Sequence, residues 1–169
     1  GCKLSNKEAI NRIRTIRRIS IKKELTFLCY SLSNIAEFAK VNDDAYKTIR
    51  TLIPGPYTFI LPATKQVPSF AQNPKRKTTG IRVPENTISQ LLLKELEQTI
   101  ISITAKLEDG AYIENPEELI EVFSPLVDVA VSTDDYHFLG DSTIIDMTEE
   151  EFVIVREGAG IEDVYELTE

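Results

Sequence analysis

The feature that most constrains this chain is a hydrophobic rhythm that keeps changing period. Short runs of β-branched and aromatic residues alternate with segments of helical spacing, most of them opened by a capping residue. Ser5-Asn6-Lys7-Glu8 reads as a capping box. It predicts a helix ending near Ile19, with Ala9, Ile10, Ile13 and Ile16 on one face and Arg12, Arg14 and Arg18 on the other. Leu25 to Tyr30 reads as a strand, and Ser31 or Ser33 caps a helix through Phe38. Asp43 is expected to cap a helix through Leu52 that Pro54-Gly55-Pro56 ends. Strands follow at Tyr57–Leu61, Thr79–Val83 and Thr99–Ile103, with a basic loop over 64–76 and an Asn86-capped helix through Leu96 between them. Asn115-Pro116-Glu117-Glu118 starts another helix, and Val127 to Val131 reads as a buried strand. Ser142–Met147 and Phe152–Arg156 flank the acidic turn 148–151 and predict a hairpin. Strands joined both by helices and by a hairpin give the expected fold class: α/β, one twisted, mixed, open sheet flanked by helices.

With 169 residues the expected organisation is one domain over 1–169. Its 42% hydrophobic and 27% charged residues exclude disorder, collagen and coiled coil. No apolar stretch approaches the roughly 18 residues of a spanning helix, so no membrane partner is expected and the chain reads as cytoplasmic. Cys2 and Cys29 form no CxxC pair, which leaves neither a disulfide framework nor a zinc site to expect, and no metal ligand set is read. The net charge of −8 conceals a division. Residues 1–106 carry 18 Lys and Arg against 8 acids, a balance of +10, whereas 107–169 carry one Arg against 19 acids, a balance of −18. The basic end is suited to a polyanion.

No GxxxxGK[ST] loop, GxGxxG turn, GxSxG elbow or HExxH pair occurs, so the commoner nucleotide and hydrolase mechanisms lack their parts. His137, the one histidine, stands in a polar loop and reads either as a surface residue or as a general base. Ser102, Thr104, Ser142 and Thr143 end apolar strands, where a hydroxyl serves either the turn or a ligand beyond the strand ends. Arg82 and Arg156 lie in or beside apolar strands, and a guanidinium there either caps a surface or forks onto phosphate or carboxylate.

Four segments in order carry a resemblance: 55–61 (GPYTFIL), 77–84 (KTTGIRVP), 142–146 (STIID) and 155–160 (VREGAG). They resemble the successive motifs of the YrdC/YciO-like family, with the closest likeness to its YciO branch. The resemblance implies a concave basic groove in a mixed sheet. It implies ATP and Mg²⁺ as cofactors and, for the synthase members, conversion of ATP, L-threonine and bicarbonate into threonylcarbamoyl-AMP and pyrophosphate for tRNA modification. Carried onto this chain, it implies phosphate contacts from Arg17, Lys23, Thr104, Ser142 and Arg156, and a threonine contact from Arg82. The chain departs from the synthase pattern at Ile19, Leu28 and Lys106, where the family signature has Arg, often His, and Asn. Those departures fit a divergent paralogue. The family's opening strand is expected upstream of Gly1, in about 30 or more further residues.

An alternative is a non-catalytic module for double-stranded RNA or tRNA. Its surface would be built from Arg12, Arg14, Arg18, Lys22, Lys75, Arg76 and Lys77, with Arg17 and Lys23 beside them. The basic helix also reads as a solvated face that balances the acidic C-terminal third.

Overall fold

The computed structural model describes residues 1–133 and 138–167. His137 therefore lies outside the described residues. Seven strands form one sheet: β1 (Cys2–Lys3), β2 (Thr26–Leu28), β3 (Tyr57–Pro62), β4 (Thr78–Arg82), β5 (Ile100–Ser102), β6 (Thr143–Asp146) and β7 (Val153–Arg156). Their spatial order is β1-β5-β2-β4-β3-β6-β7. β2 and β4 are parallel, as are β3 and β6, while the other neighbours are antiparallel. The sheet is mixed, as expected, and β6 and β7 make the expected antiparallel pair, with a bulge at Ile144/Ile145.

The helices are α1 (Lys7–Ile16), α2 (Leu32–Phe38), α3 (Asp43–Leu52), α4 (Thr87–Leu96), α5 (Pro116–Phe123) and α6 (Ile161–Glu166). Ser31, Asn86 and Asn115 cap α2, α4 and α5 as their sequence positions suggest. Two caps shift by one residue. Asn6, not Ser5, accepts from the Ala9 amide at 2.9 Å, and Asn42, not Asp43, accepts from Ala45 at 2.8 Å. Asp43 and Asp44 instead occupy the first turn of α3, where their charge opposes the positive end of the helix dipole. α1 stops at Ile16 rather than near Ile19, because Arg18 takes φ 46°, a left-handed conformation that no helix continues. Ile19 then packs against the core.

Val127–Val131 is not a buried strand. Val127, Val129 and Val131 are all exposed, and Arg12 takes the Leu126 carbonyl and the Asp128 carboxylate. A strand needs a neighbouring ladder, and among the described residues the sheet offers none beside this segment. No helix of the described residues is long and apolar enough to cross a membrane.

Alternation along the strands divides the sheet into two faces. Phe27, Phe59, Ile81, Ile101 and Ile145 point one way and are almost fully buried in a core shared with Ile10, Ile35, Phe38 and Ile49 from α1, α2 and α3. The residues between them point the other way. Register places Leu28, Arg82, Thr58 and Ile144 in one row of that second face, and Ser102, Thr26, Gly80 and Ile60 in the next. These two rows floor a groove.

Candidate anion-binding groove

The groove has a volume of about 450 Å³. Six cationic side chains line it, Arg17, Lys22, Lys23, Arg82, Lys106 and Arg156, against two carboxylates, Glu24 and Asp141. Low-dielectric walls bearing one dominant sign of charge concentrate anions.

Arg82 and Arg156 are its electrostatic centre. Arg82 ends β4 on the groove face, and its Nε is buried without a hydrogen-bond partner among the described residues. Burial, followed by the charge of Arg156, pulls the Arg82 guanidinium below the usual arginine value. A buried donor left unpaired costs roughly 1–3 kcal/mol, more when charged, so the chain holds this guanidinium in the groove floor at a cost to stability. Arg156, at the end of β7, donates from Nε and Nη2 to the Ser142 carbonyl at 2.9 and 2.7 Å and from Nη2 to the Ser142 Oγ at 3.0 Å. Its Nη1 stands 3.6 Å from Asp141. Ser142 is buried, and its hydroxyl also pairs with Thr58 Oγ1 at 2.9 Å, so the hydroxyl and guanidinium are held in one fixed network.

Lys23 and Lys22 stand exposed on the opposite wall, and Thr104 lines it beyond β5. Arg17 also lines that wall, but it works as a strut. Its Nε donates to the Thr104 carbonyl at 2.8 Å and its Nη1 to the carbonyls of Lys106 and Leu107 at 2.7 and 3.3 Å.

The residues expected to bind RNA do not gather into one free surface. Arg12 pairs with Asp128 at 3.0 Å, Arg18 with Glu108, and Arg76 with Asp146 at 2.6 Å. Arg14 donates to the carbonyls of Ser20 and Lys23. Lys22, Lys75 and Lys77 remain exposed. The partners of these arginines lie up to 116 residues away, beyond what local sequence displays.

The three departures land in different places. Ile19 faces the core, Leu28 lines the groove in register with Arg82, and Lys106 sits in the groove wall 3.1 Å from Asp141 and 4.2 Å above the Tyr112 ring. Burial alone would raise the Asp141 carboxyl, but the neighbouring Lys106 and Arg156 outweigh it and hold the group below the usual carboxylate range. Cys29 is buried beside the Thr99 hydroxyl, and burial pushes its thiol up to about 12, which leaves it unreactive. Among the described residues no cluster of three metal-ligating side chains occurs.

Sequence reasoning missed Thr26, Thr58, Gly80 and Asp141. The first three carried a signal, since each stands two residues from another groove residue on its strand: Thr26 with Leu28, Thr58 with Ile60, Gly80 with Arg82. Asp141 carried none, because its partners come from the segment after β5 and from the end of β7.

Fold and groove together define a class, an α/β protein that gathers paired guanidiniums and hydroxyls on the open face of a mixed sheet. The chain belongs to the Sua5/YciO/YrdC family, whose model, described as telomere recombination, matches residues 1–158. An uncharacterized protein of Haemophilus influenzae is 39% identical over 164 residues, covering 95% of this chain and 78% of its own length. A putative threonylcarbamoyl-AMP synthase of Methanocaldococcus jannaschii is 29% identical, over 90% of this chain and 71% of that protein. The crystal structure of E. coli YciO superposes with a TM-score of 0.86 at 36% identity, covering 94% of this chain and 77% of YciO. P. abyssi Sua5, whose crystal structure was determined in complex with L-threonine, shares the fold at a TM-score of 0.88 and 22% identity, over 98% of this chain and 49% of Sua5.

Proposed function

We propose that the groove binds ATP together with L-threonine and supports synthesis of threonylcarbamoyl-AMP. The observation that carries this reading is the pair of neighbouring guanidiniums, Arg82 and Arg156, in a groove lined by six cations against two carboxylates. The synthase name of the M. jannaschii relative and the threonine bound by P. abyssi Sua5 support the choice of substrates.

In the proposed reaction the threonine amine takes up CO₂ derived from bicarbonate, with loss of water, to give a carbamate. A carbamate oxygen attacks the α-phosphorus of ATP. The bond from that phosphorus to the bridging oxygen breaks, and pyrophosphate leaves with the electron pair. The chain's part is binding and charge neutralisation. Arg82 takes the threonine carboxylate; Arg156, with the hydroxyls of Ser142 and Thr104, faces phosphate oxygens; and Lys23 reaches the departing pyrophosphate from the far wall. No nucleophile from the protein is needed. The described groove residues do not form a resident Mg²⁺ cage; Mg²⁺ fits here as part of the Mg·ATP substrate, held mainly by phosphates.

The test is pyrophosphate release by the protein with ATP, Mg²⁺ and bicarbonate, with and without L-threonine. Threonine-dependent release is the expected result. ATP binding without turnover would make the chain a divergent paralogue that keeps the pocket and has lost the chemistry, and absence of ATP binding would contradict the proposal. A second reading, binding of double-stranded RNA or tRNA, is favoured only by the exposed Lys22, Lys75 and Lys77. It predicts affinity that falls steeply with salt.

A further inference from the structure

β5 and β6 are separated in the sheet by β2, β4 and β3, which places them about 19 Å apart at the usual spacing of about 4.8 Å per strand. Yet the segments that leave them meet. Lys106, four residues beyond β5, reaches Asp141, two residues before β6, at 3.1 Å. Tyr112 and Phe138, from the same two segments, bring their ring centroids to 4.4 Å. The Lys106 side chain lies at 4.2 Å over the Tyr112 ring, so the ion pair and the aromatic pair form one contact. Both Lys106 and Asp141 line the groove, so the contact passes over it rather than around it.

The two sides are built differently. Residues 106–112 form a tight hairpin in which the Leu107 amide donates to the Ala111 carbonyl at 2.9 Å, and Arg17 fixes its base through the carbonyls of Thr104, Lys106 and Leu107. Asp141 is stitched to the segment after β7 by its carbonyl, which accepts from the Ala159 amide at 2.9 Å. Two braced ends are thus joined across the open face by one ion pair and one ring contact.

We propose that the Lys106–Asp141 pair, with Tyr112 and Phe138, is a strap across the groove that gates the entry and exit of its ligand. The proposal rests on the reading of the groove as a ligand site. An ion pair whose side chains are 20% and 27% exposed is weak enough to open and strong enough to slow exchange. Asp141 also neighbours Arg156, so opening the strap exposes the paired guanidiniums to an incoming anion.

The test compares the wild type with Lys106→Met and Lys106→Arg by two readouts. The first, without ligand, is hydrogen exchange at the Leu107 amide, expected to quicken in Lys106→Met and to recover in Lys106→Arg. The second is stopped-flow binding of a fluorescent N-methylanthraniloyl ATP, chased by unlabelled ATP. A gate predicts that Lys106→Met speeds association as well as dissociation, each by roughly three- to tenfold, although the lost charge by itself would slow association of an anion, and that Lys106→Arg restores both rates. Faster dissociation alone, with Kd weakened in proportion, would make Lys106 an ordinary ligand contact and overturn the gate. Unchanged rates would overturn it as well. If the wild type fails to bind the nucleotide, the ligand-groove reading fails and the gate falls with it, while the exchange data still report whether the strap exists as structure.

Discussion

Gly158 follows Arg156 by two residues and leaves room for a hydrogen only. A Cβ there would stand 2.7 and 2.8 Å from the carbonyl carbon and oxygen of Ser142, and closer still to the Asp141 carbonyl oxygen. This close approach lets the Gly158 amide donate to Thr143 Oγ1, and it sets the distance at which Arg156 grips Ser142. Gly158→Ala must push the two segments apart, and the expected cost is about 1–3 kcal/mol in urea unfolding at unchanged m-value. A change within about 0.5 kcal/mol would show that the segments separate freely. Arg82 presents the opposite case. Removing a guanidinium whose buried Nε has no partner relieves a burial penalty, so Arg82→Met is expected to leave stability unchanged or raise it by about 1 kcal/mol while weakening anion binding. A variant destabilised by more than about 1 kcal/mol would mean that the guanidinium is structurally satisfied.

Among the elements, α6 is tied to β3 by the Tyr57 hydroxyl, which donates to Asp163 at 2.6 Å. Burial first, and then the acceptor and charge of Asp163, raise the Tyr57 hydroxyl above the ordinary tyrosine value. A raised folded-state pKa favours the protonated form in the native state. The contribution is therefore complete below the unfolded value of about 10 and declines as the pH rises above it. Tyr57→Phe is expected to cost about 1 kcal/mol at pH 7 and to flatten the loss of stability above about pH 10, checked by unfolding at pH 7 and 10.5. The basic loop is fastened in a similar way, by Arg76 to Asp146 of β6. Burial opposes ionisation of Asp146, but the Thr148 and Arg76 hydrogen bonds win and lower its carboxyl. The sign is reversed here, with stability present above the unfolded value of about 3.9 and lost as the pH falls through the lower folded value. Asp146→Asn should lower stability at pH 7 by about 0.5–1 kcal/mol and flatten the fall in stability below about pH 4, measured by chemical denaturation.

At the scale of the whole molecule, what local sequence displays and what it hides divide by range of contact. Alternation and caps are local, so the strands from β2 to β7 and the caps at Ser31, Asn86 and Asn115 were legible, and the motif order disclosed the family. Val127–Val131 misled because an alternating apolar run says that a segment suits a ladder, not that a neighbour stands beside it. The site was half legible. Arg82, Ser142 and Arg156 stood out by motif, whereas the strut role of Arg17 and the pairing of Lys106 with Asp141 depend on carbonyls and carboxylates 35 to 90 residues distant. The charge division along the chain is likewise partly neutralised in space, since Arg12, Arg18, Arg76 and Lys106 each meet an acid from residues 107–169.

The central claim is that Arg82 and Arg156 form an anion site made for a nucleotide and a carboxylate. Calorimetric titration of Mg·ATP into the wild type and into Arg82→Met, each with and without saturating L-threonine, tests it most directly. The account predicts that threonine strengthens ATP binding in the wild type. In Arg82→Met that enhancement should be lost and threonine affinity should fall by at least about tenfold, the effect of one charge-assisted contact. Equal affinities in the two proteins, or no heat of binding in either, would contradict it.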